Sequence, residues 1–189
     1  MRRRLALTLL WLVAMSACSR NERQNDDCAP SERVVDPVLL AFLSQARSAH
    51  HLADQHEARE DTAAALRALQ TLVSAAQPPG NPPEVGEVLA DTHARMADLL
   101  SRAGRFDQAE AAIGQGLTQA KEPSYFRGHL LEVKGLVEER RAKALASTGR
   151  GAEAEKARER SLSAYEEAMK IQAQVIQQAN PAASGGRAP

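Results

Sequence analysis

Three breaks in this chain fall at a nearly constant interval. They lie at Glu60-Asp61, Gly104-Arg105 and Gly149-Arg150, 44 and 45 residues apart, and each opens an alanine-rich stretch: EDTAAALRAL, GRFDQAEAAI and GRGAEAEKAR. Ala65, Ala109 and Ala154 occupy the same place after the break. A period in this range signals stacked helical pairs, none of which can bury its apolar face alone. A small residue after a tight turn lets two antiparallel helices approach closely, and glycine permits the sharp reversal.

Apolar spacing predicts six helices between these marks. Asp36 caps the first, with Pro37 in its first turn, and Leu39, Phe42, Leu43, Ala46, Ala49 and Ala53 follow at helical period. The second starts near Asp61, carries Leu66, Leu69, Val73 and Ala76, and stops at Pro78-Pro79-Gly80. Asn81, Pro82 and Glu84 supply a cap, a first-turn proline and a capping-box acid for the third, which carries Val88, Leu89, Met96 and Leu100 up to Gly104. The fourth carries Ala109, Ala112, Ile113, Leu117 and Ala120. The fifth opens near Pro123 and carries Leu130, Val133, Leu136 and Val137. Gly149 and Gly151 precede a long sixth helix whose apolar residues are Leu162, Tyr165, Ala168, Met169, Val175 and Ile176. Nothing alternates convincingly at period two, so the predicted class is all-α without a sheet.

Around its turn the second unit resembles the tetratricopeptide repeat (TPR): Leu99, Leu100, Gly104, Arg105, Phe106, Asp107, Gln108, Ala109, Ile113 and Leu117 follow that family's pattern, and Ala97 falls on the small position of its first helix. The likeness covers about 30 residues there, is partial in the third unit (Ala142, Leu145, Gly149, Ala154) and weak in the first, where Ala53 and Ala65 fit without a turn glycine. The family's period is about 34, so these helices are expected to run one to two turns longer, which leaves HEAT-like packing or a plain six-helix bundle open. The resemblance implies three antiparallel helical hairpins stacked as a short α-solenoid over residues 36–179. It also implies a concave face, formed by the first helix of each hairpin, that binds a peptide or partner protein without catalysis. By register that face holds Arg47, His50 and Asp54 from the first unit, Asp91, Arg95 and Asp98 from the second, and Glu139, Arg140 and Lys143 from the third. The alternative is that these charges are solvated helix faces with local pairs such as Glu139 to Lys143.

Ahead of the repeats, Arg2, Arg3 and Arg4 precede an apolar run from Leu5 to Ala17, broken only by Thr8 and Ser16. At about 13 residues this run is too short to span a bilayer and reads as a secretory signal, residues 1–17. Met15, Ser16, Ala17 and Cys18 resemble the lipobox of bacterial lipoproteins, which implies that Cys18 is acylated and becomes the mature N-terminus. Ordinary cleavage after Ser16, through the small pair Ala14 and Ser16, and a retained, uncleaved anchor are the alternatives. Acyl chains at about 0.8 kcal/mol per buried methylene would hold the protein stably on a membrane. Residues 18–35 then read as a disordered tether reaching about 20–25 Å, and 180–189 as a disordered tail. The second cysteine, Cys28, lies in the tether as a lone thiol, idle or open to an intermolecular disulfide, or pairs with Cys18 if that one is unmodified.

Charge and composition exclude several functions. The 24 basic and 24 acidic residues cancel, and removal of Arg2, Arg3 and Arg4 leaves 21 against 24, so nothing in the mature charge attracts nucleic acid or anionic lipid. His50, His51 and His56 lie near Asp54, Glu57 and Glu60, but no HExxH is present, and His93 and His129 stand alone. No GxSxG, phosphate-binding glycine loop or dinucleotide fingerprint occurs. The expectation is a protein with no catalytic residues, no metal and no cofactor. Its expected partners are membrane lipid through Cys18 and an unknown envelope protein or peptide. Its expected place is the bacterial cell envelope, lipid-anchored to a membrane (the outer one, on its periplasmic or surface face), where it serves as an interaction adaptor or assembly factor. The second reading is a secreted or periplasmic helical protein with a structural, ligand-sequestering or metal-sequestering role.

Overall fold

A computed structural model describes residues 36–180. The signal segment, the lipobox with Cys18, the tether with Cys28 and residues 181–189 of the tail lie outside the described residues. Six helices and no strand are found among the described residues: α1 (Pro37–Glu57), α2 (Thr62–Val73), α3 (Pro83–Arg102), α4 (Phe106–Gln119), α5 (Tyr125–Ser147) and α6 (Gly151–Ala179).

The three breaks share one local geometry. After α1, α3 and α5 the chain closes a Schellman turn. Asp61, Arg105 and Arg150 donate their amides to the carbonyls of His56, Leu100 and Leu145, five residues back, and Glu60, Gly104 and Gly149 donate to Glu57, Ser101 and Ala146. The residue between must adopt left-handed backbone, and it does so at all three places: φ is 58° at Glu60, 73° at Gly104 and 77° at Gly149. The first turn therefore forms without the glycine whose absence made it look irregular. Asp61, Arg105 and Arg150 then serve as N-caps of the next helix, with Asp61 also accepting from the Ala64 amide at 2.8 Å.

The seam on either side of each turn is alanine. Ala53 and Ala65, Ala97 and Ala109, and Ala142 and Ala154 are all buried. α1 packs on α2, α3 on α4 and α5 on α6, while α3 also touches α1, α2 and α5, and α5 touches α4. The main apolar cluster runs from Ala53 through Leu69, Ala94, Leu100 and Ile113 to Leu130 and Val137, and a smaller one joins Phe42, Ala46, Leu72, Val85 and Leu89.

Three expectations are corrected. α2 stops at Val73, so Ala76 lies beyond it and is exposed. α3 begins one residue later than predicted: Pro82 is its N-cap, without a side-chain hydrogen bond, and Asn81 takes a left-handed turn conformation (φ 53°) instead of capping. In α6 the residues facing inward are not the large ones. Ala154, Ala157, Ser161, Ala164 and Ala168 are buried, whereas Leu162, Met169 and Ile176 are exposed. α5 and α6 lie so close that a Cβ on Gly135 would stand 2.7 Å from the Tyr165 ring, and Ser161 donates a 2.8 Å hydrogen bond to the Gly135 carbonyl. A large α6 side chain reaches α5 where glycine stands opposite, as Tyr165 does over Gly135, and Leu162, Met169 and Ile176 fall on the next face.

The shared turn geometry predicts opposite signs at equivalent positions. Glu60→Gly removes the left-handed penalty of a side chain and should stabilise by about 0.5–1 kcal/mol, while Gly104→Ala introduces it and should destabilise by a similar amount. Urea unfolding followed by helical circular dichroism checks both.

Candidate functional site

The first helices α1, α3 and α5 are spanned by a groove of about 570 Å³ that also reaches Tyr165 of α6. Its walls carry Glu57, Asp91, Asp98 and Glu132 against Arg95 and Arg102, with Val133, Leu136 and Tyr165 as the apolar part and His50 and His129 at the sides.

Charges along this face pair in a repeating pattern. Arg95 stands two residues before the seam alanine of the second unit and reaches back to Asp54, one residue after the seam alanine of the first, at 2.5 Å. Arg140 occupies the same place in the third unit and reaches back to Asp98, the counterpart of Asp54, at 2.7 Å. Each arginine takes a further anchor. Arg95 also meets Glu57 at 2.5 Å and donates to the His50 carbonyl at 3.1 Å, and Arg140 donates to Ser101 Oγ at 2.6 Å. Arg102 bonds Asp98 within α3 and lies 3.5 Å from Glu57. The rungs thus tie α1 to α3 and α3 to α5. At the third unit the corresponding position is Lys143, which pairs with Glu139 in its own helix, so the ladder stops there.

Burial shapes the protonation of these groups. Desolvation works against the Arg95 charge, but bonds from Glu57 and Asp54 outweigh it and hold its pKa above the ordinary value. Asp98 is likewise opposed by burial, yet Arg140 and Arg102 keep its carboxyl below the ordinary range. His50 is pushed down by burial, with Asp91 and Arg95 acting in opposite directions around it. Its ring is oriented by Thr92. That hydroxyl donates to the Val88 carbonyl at 2.7 Å and so accepts from His50 Nε2 at 3.0 Å, which leaves Nδ1 facing Arg95 at 3.4 Å. His93 is buried on the far side of α3, its Nδ1 without a hydrogen-bond partner, and burial lowers its pKa too.

The nine residues expected on a concave binding face therefore divide. His50, Asp91, Arg95 and Asp98 line the groove; Arg47, Asp54, Glu139, Arg140 and Lys143 do not. Asp54, Arg95, Asp98 and Arg140 are engaged with one another, while Asp91 has no ion pair or hydrogen-bond partner among the described residues. Arg47 is exposed in the middle of α1. Sequence reasoning missed Glu132 and His129, which face each other at 3.7 Å, and placed Leu136 and Tyr165 in the core although both reach the groove wall. The ladder itself was visible in principle, since Arg two places before and Asp one place after a seam alanine recur at the repeat interval. His51 is exposed, 4.0 Å from Asp54, and among the described residues no three His, Cys, Asp or Glu side chains form a group able to hold a metal ion.

No protein-family model, no curated protein and no solved structure matches this chain.

Two measurements follow from the geometry. His50 and His93 have folded pKa values below the unfolded value of 6.5, so the unfolded chain takes up protons first. Stability should be intact above about pH 7 and fall as the pH drops through about 6.5 towards 5, with Asp98 adding a further loss below about pH 4. The loss between pH 7 and 5 should shrink in a His50→Gln, His93→Leu double variant, as read from urea midpoints. For the ladder, a double-mutant cycle on Asp98→Asn and Arg140→Gln should give a coupling of about 1 kcal/mol, against about 0.3 kcal/mol for Glu139 and Lys143 on the exposed face of α5.

Proposed function

We propose that this chain is a membrane-anchored lipoprotein of the bacterial cell envelope, acting as a non-catalytic adaptor or assembly factor through a TPR-like domain. In this reading the three helix pairs stack as a short solenoid, and the groove over α1, α3 and α5 receives a segment of a partner protein. The observation that carries it is the groove's division of labour. Arg95, Asp98 and Glu57 are engaged in the ladder that ties the helices together, whereas Asp91 and Glu132 stand beside the apolar Val133, Leu136 and Tyr165 with no guanidinium held against them. A wall of that kind suits an extended or helical segment that offers an apolar residue and a basic one. The pattern of helix contacts, in which each first helix touches the next and each second helix touches the following first, supports the solenoid arrangement over a closed bundle.

Anchoring rests on the lipobox-like Met15 to Cys18, and no helix among the described residues is long and apolar enough to cross a membrane. Cys18→Ser is expected to release the chain from the membrane fraction, and the mature wild-type protein is expected to begin at acylated Cys18 by mass spectrometry. A Cys18→Ser chain that stays bound would count against the anchor. For the groove, affinity capture from envelope extract should lose its specific partner with Asp91→Lys plus Glu132→Lys, while the melting temperature stays within a few degrees because neither residue belongs to the ladder. Unchanged capture by that variant would move the binding surface elsewhere.

A further inference from the structure

α6 presents a second apolar stripe that nothing among the described residues covers. Leu162, Met169 and Ile176 stand seven residues apart, so they share one face, and they are 63, 69 and 68% exposed. That face lies roughly a hundred degrees round the helix from the Ala154 to Ala168 row that packs on α5. The repeat explains its position. Counted from the seam alanines Ala154, Ala109 and Ala65, Leu162 corresponds to Leu117 of α4 and Val73 of α2, and both of those are part-buried against the main apolar cluster, to which the following pair contributes. The corresponding face of α6, whose contacts among the described helices are with α5, has no helix against it.

We infer that the stripe is the contact surface of a homodimer, in which α6 of a second copy lies antiparallel against it across a two-fold axis near Met169. Three observations select that occupant. The stripe is symmetric about Met169, with Leu162 and Ile176 seven residues to either side, so an antiparallel copy sets each Leu162 against the partner's Ile176 and Met169 against itself. Glu166 and Lys170 flank Met169 on the outer edge, both exposed and in no ion pair among the described residues; the same axis brings each Lys170 within about one helical turn of the partner's Glu166. Lys143 interrupts the Arg–Asp ladder at the third unit, so the groove side of α5 is not prepared to receive another repeat of the same kind. With one helix from each copy the buried area falls at the low end for protein interfaces, and the dimer is of the weak, reversible class. This surface is separate from the acidic part of the groove and stands or falls without it.

The test uses the full-length chain as cells process it. Sedimentation at roughly 10–500 µM should show the mass rising towards a dimer, as expected for a small interface. Leu162→Glu with Ile176→Glu should return the chain to monomer at unchanged helicity and melting temperature. Glu166→Lys should weaken association about tenfold, and adding Lys170→Glu should restore it. Under mild oxidation Met169→Cys should give disulfide-linked dimers well above the background of Cys18 and Cys28, and Ser163→Cys, exposed on another face of α6, should not. A wild-type chain that remains monomeric over that range overturns the inference, as does equal cross-linking at residues 163 and 169. Dimers that persist in the Leu162→Glu, Ile176→Glu variant overturn it as well.

Discussion

The close approach of paired helices at buried alanine is the constraint on which the rest of this molecule depends. Ala53, Ala65, Ala97, Ala109, Ala142 and Ala154 are all sealed from solvent, and each pair brackets a turn whose central residue is held in left-handed backbone. A methyl group is the largest side chain such a seam accepts, because interior packing leaves no slack for extra methylenes. The scarcity of aromatic residues, 3% of the chain, follows from this geometry. Where a ring does approach the seam it needs glycine opposite, as Tyr165 does over Gly135.

Where the first helices of neighbouring pairs touch, α1 against α3 and α3 against α5, their charges come within reach of counterparts one unit away. The Asp54–Arg95 and Asp98–Arg140 rungs are the result. They are partly exposed, so each contributes little by itself. Their effect is to set the lateral register of α1, α3 and α5 and so the floor of the groove. A second network sits near the turns. Glu138, buried, is neutralised by Arg160 at 2.7 Å and Arg141 at 3.5 Å, and Arg141 also bonds Asp107 at 2.9 Å and lies over the Phe106 ring. Burial of an unpaired carboxylate would be costly, so this arginine pair is what allows Glu138 to face the interior of the α4 to α6 region. Polar side chains in this fold thus divide into those that pair across helices and those, such as Asp91, that have no ion-pair partner among the described residues, and the proposed adaptor role uses the second group.

Helix count, helix order and the three turns were legible in the chain before any coordinates, because each depends on residues close together in sequence: Asp36-Pro37 at the start of α1, Pro78 to Gly80 after α2, Gly104 and Gly149 in two of the turns. Glu60 shows the limit of local reading, since its neighbours impose on it the backbone that glycine adopts freely elsewhere. The errors lie where local pattern met a tertiary demand. Periodicity marked Leu162, Met169 and Ile176 as core because they are large and correctly spaced, but the narrow α5–α6 seam selected the alanine row beside them.

The candidate site was half legible for the same reason. Composition, repeat register and the face carrying Asp91, Arg95 and Asp98 are properties of the chain alone, set by helical period and by the interval between turns. Which charges neutralise one another, which remain to line a groove, and which apolar residues face outward were decided only by packing. Those outcomes depend on distances between helices some 40 residues apart in sequence, and a separation of a few ångströms determines whether an arginine meets the carboxylate of the neighbouring unit or water.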